Sequence, residues 1–265
     1  MKGKVPAHQS LLVLYTKTPT KFWPSDIGSA SSLYQNALLY QKEFQGKVLL
    51  CRSSSNGFRE TCSSLNFTDA DSPQVHKATF FAKMANPFYI NALASGNLGD
   101  WAKELRERTQ DGIDVVNMLE GPGQARSLIR SSYKSLEYDK KRKLVKKIWV
   151  MVCTHGSRDC RCGEHGTAVY GAFIKEISSR KLWHRFNVCE VSHVGGHAYA
   201  ANVLVYPYGD WYGTMRPEDI PSFIDSIDGI EGGESLSGPQ SPLWRGSWFD
   251  QPGEPVSEGD QGLRA

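Results

Sequence analysis

The sequence has no long hydrophobic run and no signature of the common enzyme classes. None of its 265 residues belongs to an apolar stretch of the length that crosses a bilayer, so we expect no membrane-spanning helix. It shows no P-loop, flavin motif, dinucleotide-binding glycine motif or catalytic triad. No paired carboxylates stand out as a glycosidase site. The sequence therefore assigns no substrate reaction.

The sequence also has little net charge and no recognisable disulfide pattern. The net charge is only +3, and six cysteines lie at positions 51, 62, 153, 160, 162 and 189. They form no small-scaffold disulfide pattern and follow no secretory signal, which indicates a reducing compartment. No nucleic-acid-binding motif accompanies the basic residues, so we expect no nucleic-acid partner. The basic stretch Lys140–Lys147 is either a solvated helix or linker, or a docking patch for an acidic redox partner protein.

Two cysteines and two histidines form the most informative pattern in the chain. Cys153 and Cys162 are separated by eight residues, and His193-Val194-Gly195-Gly196-His197 follows about thirty residues later. Each pair comes after an apolar, β-branched segment that predicts a buried strand. Two thiols and two imidazoles make a complete ligand set for a structural zinc ion or a two-iron cluster.

The spacing within each pair favours the cluster over zinc. His-x3-His suits a zinc finger when the segment is helical, but Gly195 and Gly196 would each cost a helix interior about 1 kcal/mol. Glycines suit a loop whose backbone passes close to a bulky group and offers it N–H donors. The eight residues between Cys153 and Cys162 are also more than zinc knuckles usually have.

These segments resemble the sucrase/ferredoxin-like family, fungal and plant proteins that end in a thioredoxin-like ferredoxin domain and include the altered-inheritance-of-mitochondria type. The resemblance implies a [2Fe–2S] cluster on Cys153, Cys162, His193 and His197. We expect a mitochondrial or a cytoplasmic location, and only the resemblance favours the mitochondrion. The matching segments are Cys153–Gly163, His193–His197, Tyr199–Asn202, Gly209–Gly213, Pro217–Asp219 and Leu243–Gly246, with weaker similarity at Leu11–Leu14 and Trp23–Ile27.

The pattern of elements predicts an α/β fold, with a thioredoxin-like ferredoxin domain on the C-terminal side preceded by a smaller α/β domain. We expect an N-terminal domain over 1–130, a basic linker or helix over 131–145 and the ferredoxin domain over 146–230. Residues 231–265 are rich in Gly, Ser, Pro and Glu, which predicts a mostly disordered tail. Both halves are candidates for a thioredoxin-like plan.

Three functions remain open from the sequence. The first is a [2Fe–2S] protein that transfers single electrons, with reduction coupled to proton uptake through its histidine ligands. The second is a zinc-stabilised structural or interaction module with the same four ligands. The third is a thiol oxidoreductase in redox quality control, in which Cys160 takes part, although Cys160-Arg161-Cys162 is not the Cys-x-x-Cys motif of that chemistry.

Overall fold

A computed structural model describes residues 5–53, 75–118, 147–228 and 241–250, together with Gln124. The described residues form two halves, an N-terminal half over 5–118 and a C-terminal half over 147–250. The predicted linker over 131–145 and the basic stretch up to residue 146 lie outside the described residues. In the described part of the chain, no helix is both long and apolar enough to cross a membrane.

The N-terminal half begins with a fully buried strand. All six residues of Ser10–Tyr15 are buried, and the side chains alternate between two cores, as the two-residue period of a strand requires. Leu12 and Leu14 face one core, whereas Leu11 and Val13 face the other. The elements of this half are β1 (Ser10–Tyr15), α1 (Ser32–Tyr40), β2 (Gly46–Ser53), β3 (Val75–Ala82), β4 (Phe88–Ala94) and α2 (Leu98–Met118).

The C-terminal half repeats this order and adds one strand. Its first helix buries Val169, Phe173 and Ile177, which recur every four residues and so lie on one face. Phe173 meets Phe223 of the last helix edge-on at 5.9 Å between ring centroids. The elements are β5 (Ile148–Cys153), α3 (Thr167–Ser179), β6 (Phe186–Val191), β7 (Val203–Tyr206), β8 (Asp210–Tyr212), α4 (Ile220–Asp228) and β9 (Trp244–Ser247).

The nine strands of the described residues belong to one sheet, in the order β4-β3-β1-β2-β6-β5-β7-β8-β9. In the N-terminal half β1 is parallel to β2 and antiparallel to β3, which is antiparallel to β4. In the C-terminal half β5, β6, β7 and β8 have the same relations. Each half is therefore a thioredoxin-like unit, a four-stranded mixed sheet whose third strand runs against the others.

The two units join edge to edge at an antiparallel pairing of β2 with β6. A buried carboxylate lies in this seam: Arg52 forms an ion pair with Glu190 at 2.7 Å, its cross-strand partner. Thr20 and Thr154 also donate hydrogen bonds to Glu190. Since these donors come from both halves, the seam fixes the position of one unit relative to the other.

The predicted elements around the site are confirmed, and the structure adds others. The buried strands predicted before the cysteine pair and before the histidine pair are β5 and β6. Strands β3 and β4 were not predicted. Within 231–265, interpreted as a mostly disordered tail, residues 241–250 form β9 and a short turn, and β9 pairs with β8. The sheet of the C-terminal half therefore extends past the predicted domain end at 230.

Candidate metal centre

Three of the four predicted ligands lie on two loops that follow neighbouring parallel strands, and the fourth, Cys153, ends the first of these strands. Cys153 is the last residue of β5, and Cys162 opens a π-helical turn, Cys162–Gly166, that leads into α3. His193 follows β6 by two residues, and His197 opens a single 3-10 turn. We call residues 154–166 the Cys loop and residues 192–202 the His loop. Because β5 and β6 are parallel, both loops begin at the carboxyl ends of these strands, on the same end of the sheet.

The structure brings three of the four predicted ligands together. One ligand atom from each of Cys153, Cys162 and His193 lies within 4.8 Å of the other two. The Cys162 sulfur is 3.7 Å from Nδ1 of His193. His197 lies outside this group, with its ring stacked on that of His193 at 6.1 Å between centroids. Both cysteines are buried, whereas about half of the His197 side chain is exposed.

The hydrogen bonds at the sulfurs make the two thiols unequal. Cys162 donates to the Cys153 sulfur, which lowers the pKa of Cys153, and burial acts in the opposite direction. The backbone N–H groups of Val194 and His155 also donate to this sulfur and favour its thiolate. The same contact with Cys153, together with burial, raises the pKa of Cys162. Of the two thiols, Cys153 is therefore the one that loses its proton more easily.

Glycines let the Cys loop fold tightly over the end of β5. A Cβ added to Gly166 would lie 2.0 Å from the carbonyl oxygen of Cys153, and one added to Gly163 would lie 2.7 Å from Cα of Gly156. Real Cβ contacts are never this short, so each position excludes a side chain unless the backbone moves. This close approach places Cys162 directly opposite Cys153.

His155 connects the centre to the N-terminal half. Its Nε2 donates to the carbonyl oxygen of Pro24 at 2.8 Å, and its Nδ1 accepts from the backbone N–H of His193 at 3.3 Å. Burial lowers the pKa of His155, so the ring is neutral and serves as donor on one side and acceptor on the other. Trp23 packs edge-on against the ring at 5.7 Å. The spacing of the cysteines and histidines did not single out His155.

The outer rim of the site carries an ion pair. Arg161 donates through two nitrogens to the carboxylate of Asp159, which lowers the pKa of Asp159. An oxygen of that carboxylate is 3.5 Å from Nδ1 of His197. Cys160 is exposed. The rim therefore places one carboxylate beside the predicted ligand that is most accessible to solvent.

Comparison with known proteins assigns the family. A family model described as sucrase/ferredoxin-like matches residues 1–246. The chain belongs to this family. Relatives named "Altered inheritance of mitochondria protein 32" match a shorter region. The protein of Meyerozyma guilliermondii is 39% identical over 80 residues, which are 29% of this chain and 28% of the relative. That of Debaryomyces hansenii is 34% identical over 99 residues, 36% of each chain.

The sucrase/ferredoxin-like chain thus spans about a third of the length of these relatives. Among solved structures, it is similar to the thioredoxin-like [2Fe–2S] ferredoxin of Aquifex aeolicus. One crystal structure of that protein matches with 22% identity and a TM-score of 0.29, covering 31% of this chain and 87% of the ferredoxin. Another has the same identity and a TM-score of 0.30, covering 38% and 92%. Each half is thioredoxin-like in the order and direction of its strands.

Sequence reasoning missed the residues that hold the His loop from behind. Asn202 donates to the carbonyl oxygen of Gly196 at 3.0 Å and to that of Gly195 at 3.5 Å. Arg245 of β9 donates in turn to Oδ1 of Asn202. Both residues lie in segments that carry the family resemblance, and Arg245 follows a Trp in a Gly- and Ser-rich stretch. The apolar pair Leu243-Trp244 within this polar stretch was the available signal for Arg245.

Proposed function

We propose that this protein holds a [2Fe–2S] cluster on Cys153, Cys162, His193 and His197 and transfers single electrons. The observation that carries the proposal is the convergence of two buried thiols and an imidazole within 4.8 Å, with a second imidazole on the same loop. Cys and His are the protein ligands of mixed two-iron centres. The family and the solved ferredoxins to which the chain is similar support the same chemistry.

The surroundings of the four side chains fit such a group. Two backbone N–H groups already donate to the Cys153 sulfur, the type of contact that tunes cluster sulfurs. Gly195 and Gly196 adopt positive φ angles of 84° and 65°, which glycine reaches without strain. Between the two histidines the His loop therefore presents backbone rather than side chains. His197 lies on this loop beside His193 and would supply the fourth donor.

A mixed ligand set determines the redox character of the site. When bound, a [2Fe–2S] cluster supplies one-electron chemistry. Two thiolates balance the two positive charges of its oxidised core and two imidazoles add none, whereas four thiolates would leave a net charge of minus two. An electron enters a neutral buried site more easily than an anionic one, so the histidines raise the reduction potential. Each imidazole also keeps a ring N–H, so we propose that reduction is coupled to proton uptake.

The same geometry supports a zinc-stabilised module as the second candidate. A single ion needs four ligand atoms on one small tetrahedron, and the three atoms within 4.8 Å would supply three of them, with His197 as the fourth. Zinc in a closed four-ligand site has no redox chemistry. The thiol-exchange alternative rests on Cys160, whose exposed thiol is accessible to other molecules.

One set of measurements separates the cluster from the zinc site. The full chain is purified without oxygen after expression with ample iron, and iron, sulfide and zinc are quantified. Two irons and two sulfides per chain, with an electron paramagnetic resonance signal after reduction, support the proposal. Protein-film voltammetry between mildly acidic and alkaline pH should then give a potential that falls as the pH rises. One zinc per chain and no visible absorbance would refute the cluster.

The partner and the compartment are also proposals. We propose an acidic redox protein as the electron partner, docking on the basic stretch Lys140–Lys147, of which only Lys147 lies among the described residues. A mitochondrial location is proposed from the names of the fungal relatives. A salt-dependent association rate that is lost when four of these lysines and arginines become glutamine would support the docking site.

A further inference from the structure

Arg245 is a buried cation packed against the back of the His loop. Only 5% of its surface is exposed, and burial lowers its pKa. Its guanidinium lies 4.3 Å from the centre of the Tyr199 ring, at cation–π distance. A buried charge is costly unless its surroundings compensate for it, so the contacts of this arginine must offset the burial of its charge.

Two glycines make room for this side chain. A Cβ on Gly196 would lie 2.5 Å from Nη2 of Arg245, and a Cβ on Gly213 would lie 2.6 Å from its Cδ. Gly196 directly precedes His197, and Gly213 follows β8. The guanidinium therefore reaches the His loop through a gap that any other residue at these two positions would close.

A relay of hydrogen bonds links the guanidinium to the loop backbone. Nη1 of Arg245 donates to Oδ1 of Asn202, and Nδ2 of Asn202 donates to the carbonyl oxygens of Gly196 and Gly195. The two glycine carbonyls belong to the segment that separates the two histidines. Charge-assisted hydrogen bonds are stronger than neutral ones, so the relay restrains this segment more firmly than water would.

We propose that Arg245 is a positioning residue, which acts through Asn202 to hold the His loop in the conformation that presents His193 and His197 together. Its effect on a bound centre rests on the proposed cluster function, whereas its effect on the loop does not. In addition, its guanidinium packs against Gly196, the residue before His197. A positive charge at this position favours the reduced state of a nearby redox group. Thus β9, on the far side of β8 from the ligand-bearing strands, contributes to the ligand geometry.

The first experiment tests the loop in metal-free full-length protein by hydrogen–deuterium exchange. Amide exchange within residues 193–202 should be about tenfold faster or more in Arg245→Met than in the unmodified protein, and intermediate in Arg245→Lys. Asn202→Asp keeps the acceptor for Arg245 but removes the donor to the glycine carbonyls, so it should accelerate exchange even though Arg245 is present. Unchanged exchange in Arg245→Met would overturn the proposal.

A control variant removes an arginine whose ion pairs lie away from the His loop. Arg180 pairs with Glu176 of α3 and Asp225 of α4, so Arg180→Met deletes the same atoms without removing a contact of the His loop. It should leave exchange within 193–202 unchanged. Exchange in β5 and α3 reports whether each variant remains folded. Equal acceleration by both variants would mean that Arg245 acts only on global stability, and this would also refute the proposal.

The second experiment uses the iron-loaded protein. Arg245→Met should lower the reduction potential, release iron to a chelator about tenfold faster or more, and change the nitrogen hyperfine couplings of the reduced form. Arg245→Lys should preserve most of the potential. If the unmodified protein never binds a cluster but the exchange effects are present, the proposed function fails and the positioning role stands. If the cluster binds and Arg245→Met matches the unmodified protein in all three readouts, the positioning role fails alone.

Discussion

Acidification should destabilise the protein through one buried histidine, His8. Its Nδ1 lies 2.7 Å from the carbonyl oxygen of Pro6 and its Nε2 lies 2.7 Å from the hydroxyl of Tyr206. The ring is 1% exposed and meets Trp211 edge-on. Burial lowers the pKa of His8 from 6.5 to about 3, a shift that the Pro6 contact opposes and the nearby charge of Lys47 reinforces.

The sign and size of the effect follow from this pKa. Because the folded pKa lies below the unfolded value, protons bind preferentially to the unfolded chain, and stability is lost as pH falls from 6.5 toward 3. At pH 5 the unfolded histidine is almost fully protonated and the folded one is not. Because pH 5 lies about 1.5 units below the pKa of the unfolded histidine and each unit is worth about 1.4 kcal/mol, the free energy of unfolding should fall by about 2 kcal/mol.

Urea unfolding of the full chain at pH 7 and at pH 5 measures this contribution. The stability lost between the two pH values should be about 2 kcal/mol smaller in His8→Gln, which keeps a polar side chain but cannot titrate. Burial also lowers the pKa of His76 and His155, so the comparison with the variant isolates His8. Substitution of the exposed His184 is the matched control for loss of an imidazole. An equal loss in His8→Gln and the unmodified protein would refute the reasoning.

Two further predictions concern the proposed cluster site and the loop around it. His193→Cys should keep a cluster but lower its reduction potential by on the order of 100 mV or more, because a thiolate replaces a neutral donor; an unchanged potential in voltammetry would argue against ligation by His193. Gly166→Ala should cost roughly 1–3 kcal/mol in urea unfolding, because its Cβ would meet the Cys153 carbonyl oxygen at 2.0 Å. At Gly171 a Cβ would meet nothing within 4 Å, so Gly171→Ala is the control and should be neutral or stabilising.

The sequence predicts a strand well when the apolar residues of that strand themselves account for its burial. β1, β5 and β6 are apolar runs and lie where the pattern places them. β3 carries polar side chains that are stable inside only because of distant partners. His76 contacts the carbonyl oxygen of Tyr15 at 2.7 Å, and Thr79 accepts a hydrogen bond from the Tyr15 hydroxyl at 2.8 Å. No local pattern reveals a partner more than sixty residues away along the chain.

The same limit applies to the site. The spacing of cysteines and histidines predicts that they converge, and for Cys153, Cys162 and His193 the structure shows it. The contacts that orient the loops span much longer separations, 131 residues from His155 to Pro24 and 43 from Arg245 to Asn202. Such contacts depend on how the two units and the last strand assemble, which residue types alone do not specify.

The edge-to-edge joining of the two units bears on how the protein can be divided. β2 and β6 pair over three positions, and Ser192 prolongs the seam through two hydrogen bonds to Leu50. In a fragment that contains only the C-terminal half, β6 would be an exposed edge strand. The fragment would also lose Arg52, the ion-pair partner of Glu190. Unprotected edges of this kind recruit strands from other molecules, so the isolated half should aggregate or dimerise instead of behaving as a free-standing ferredoxin.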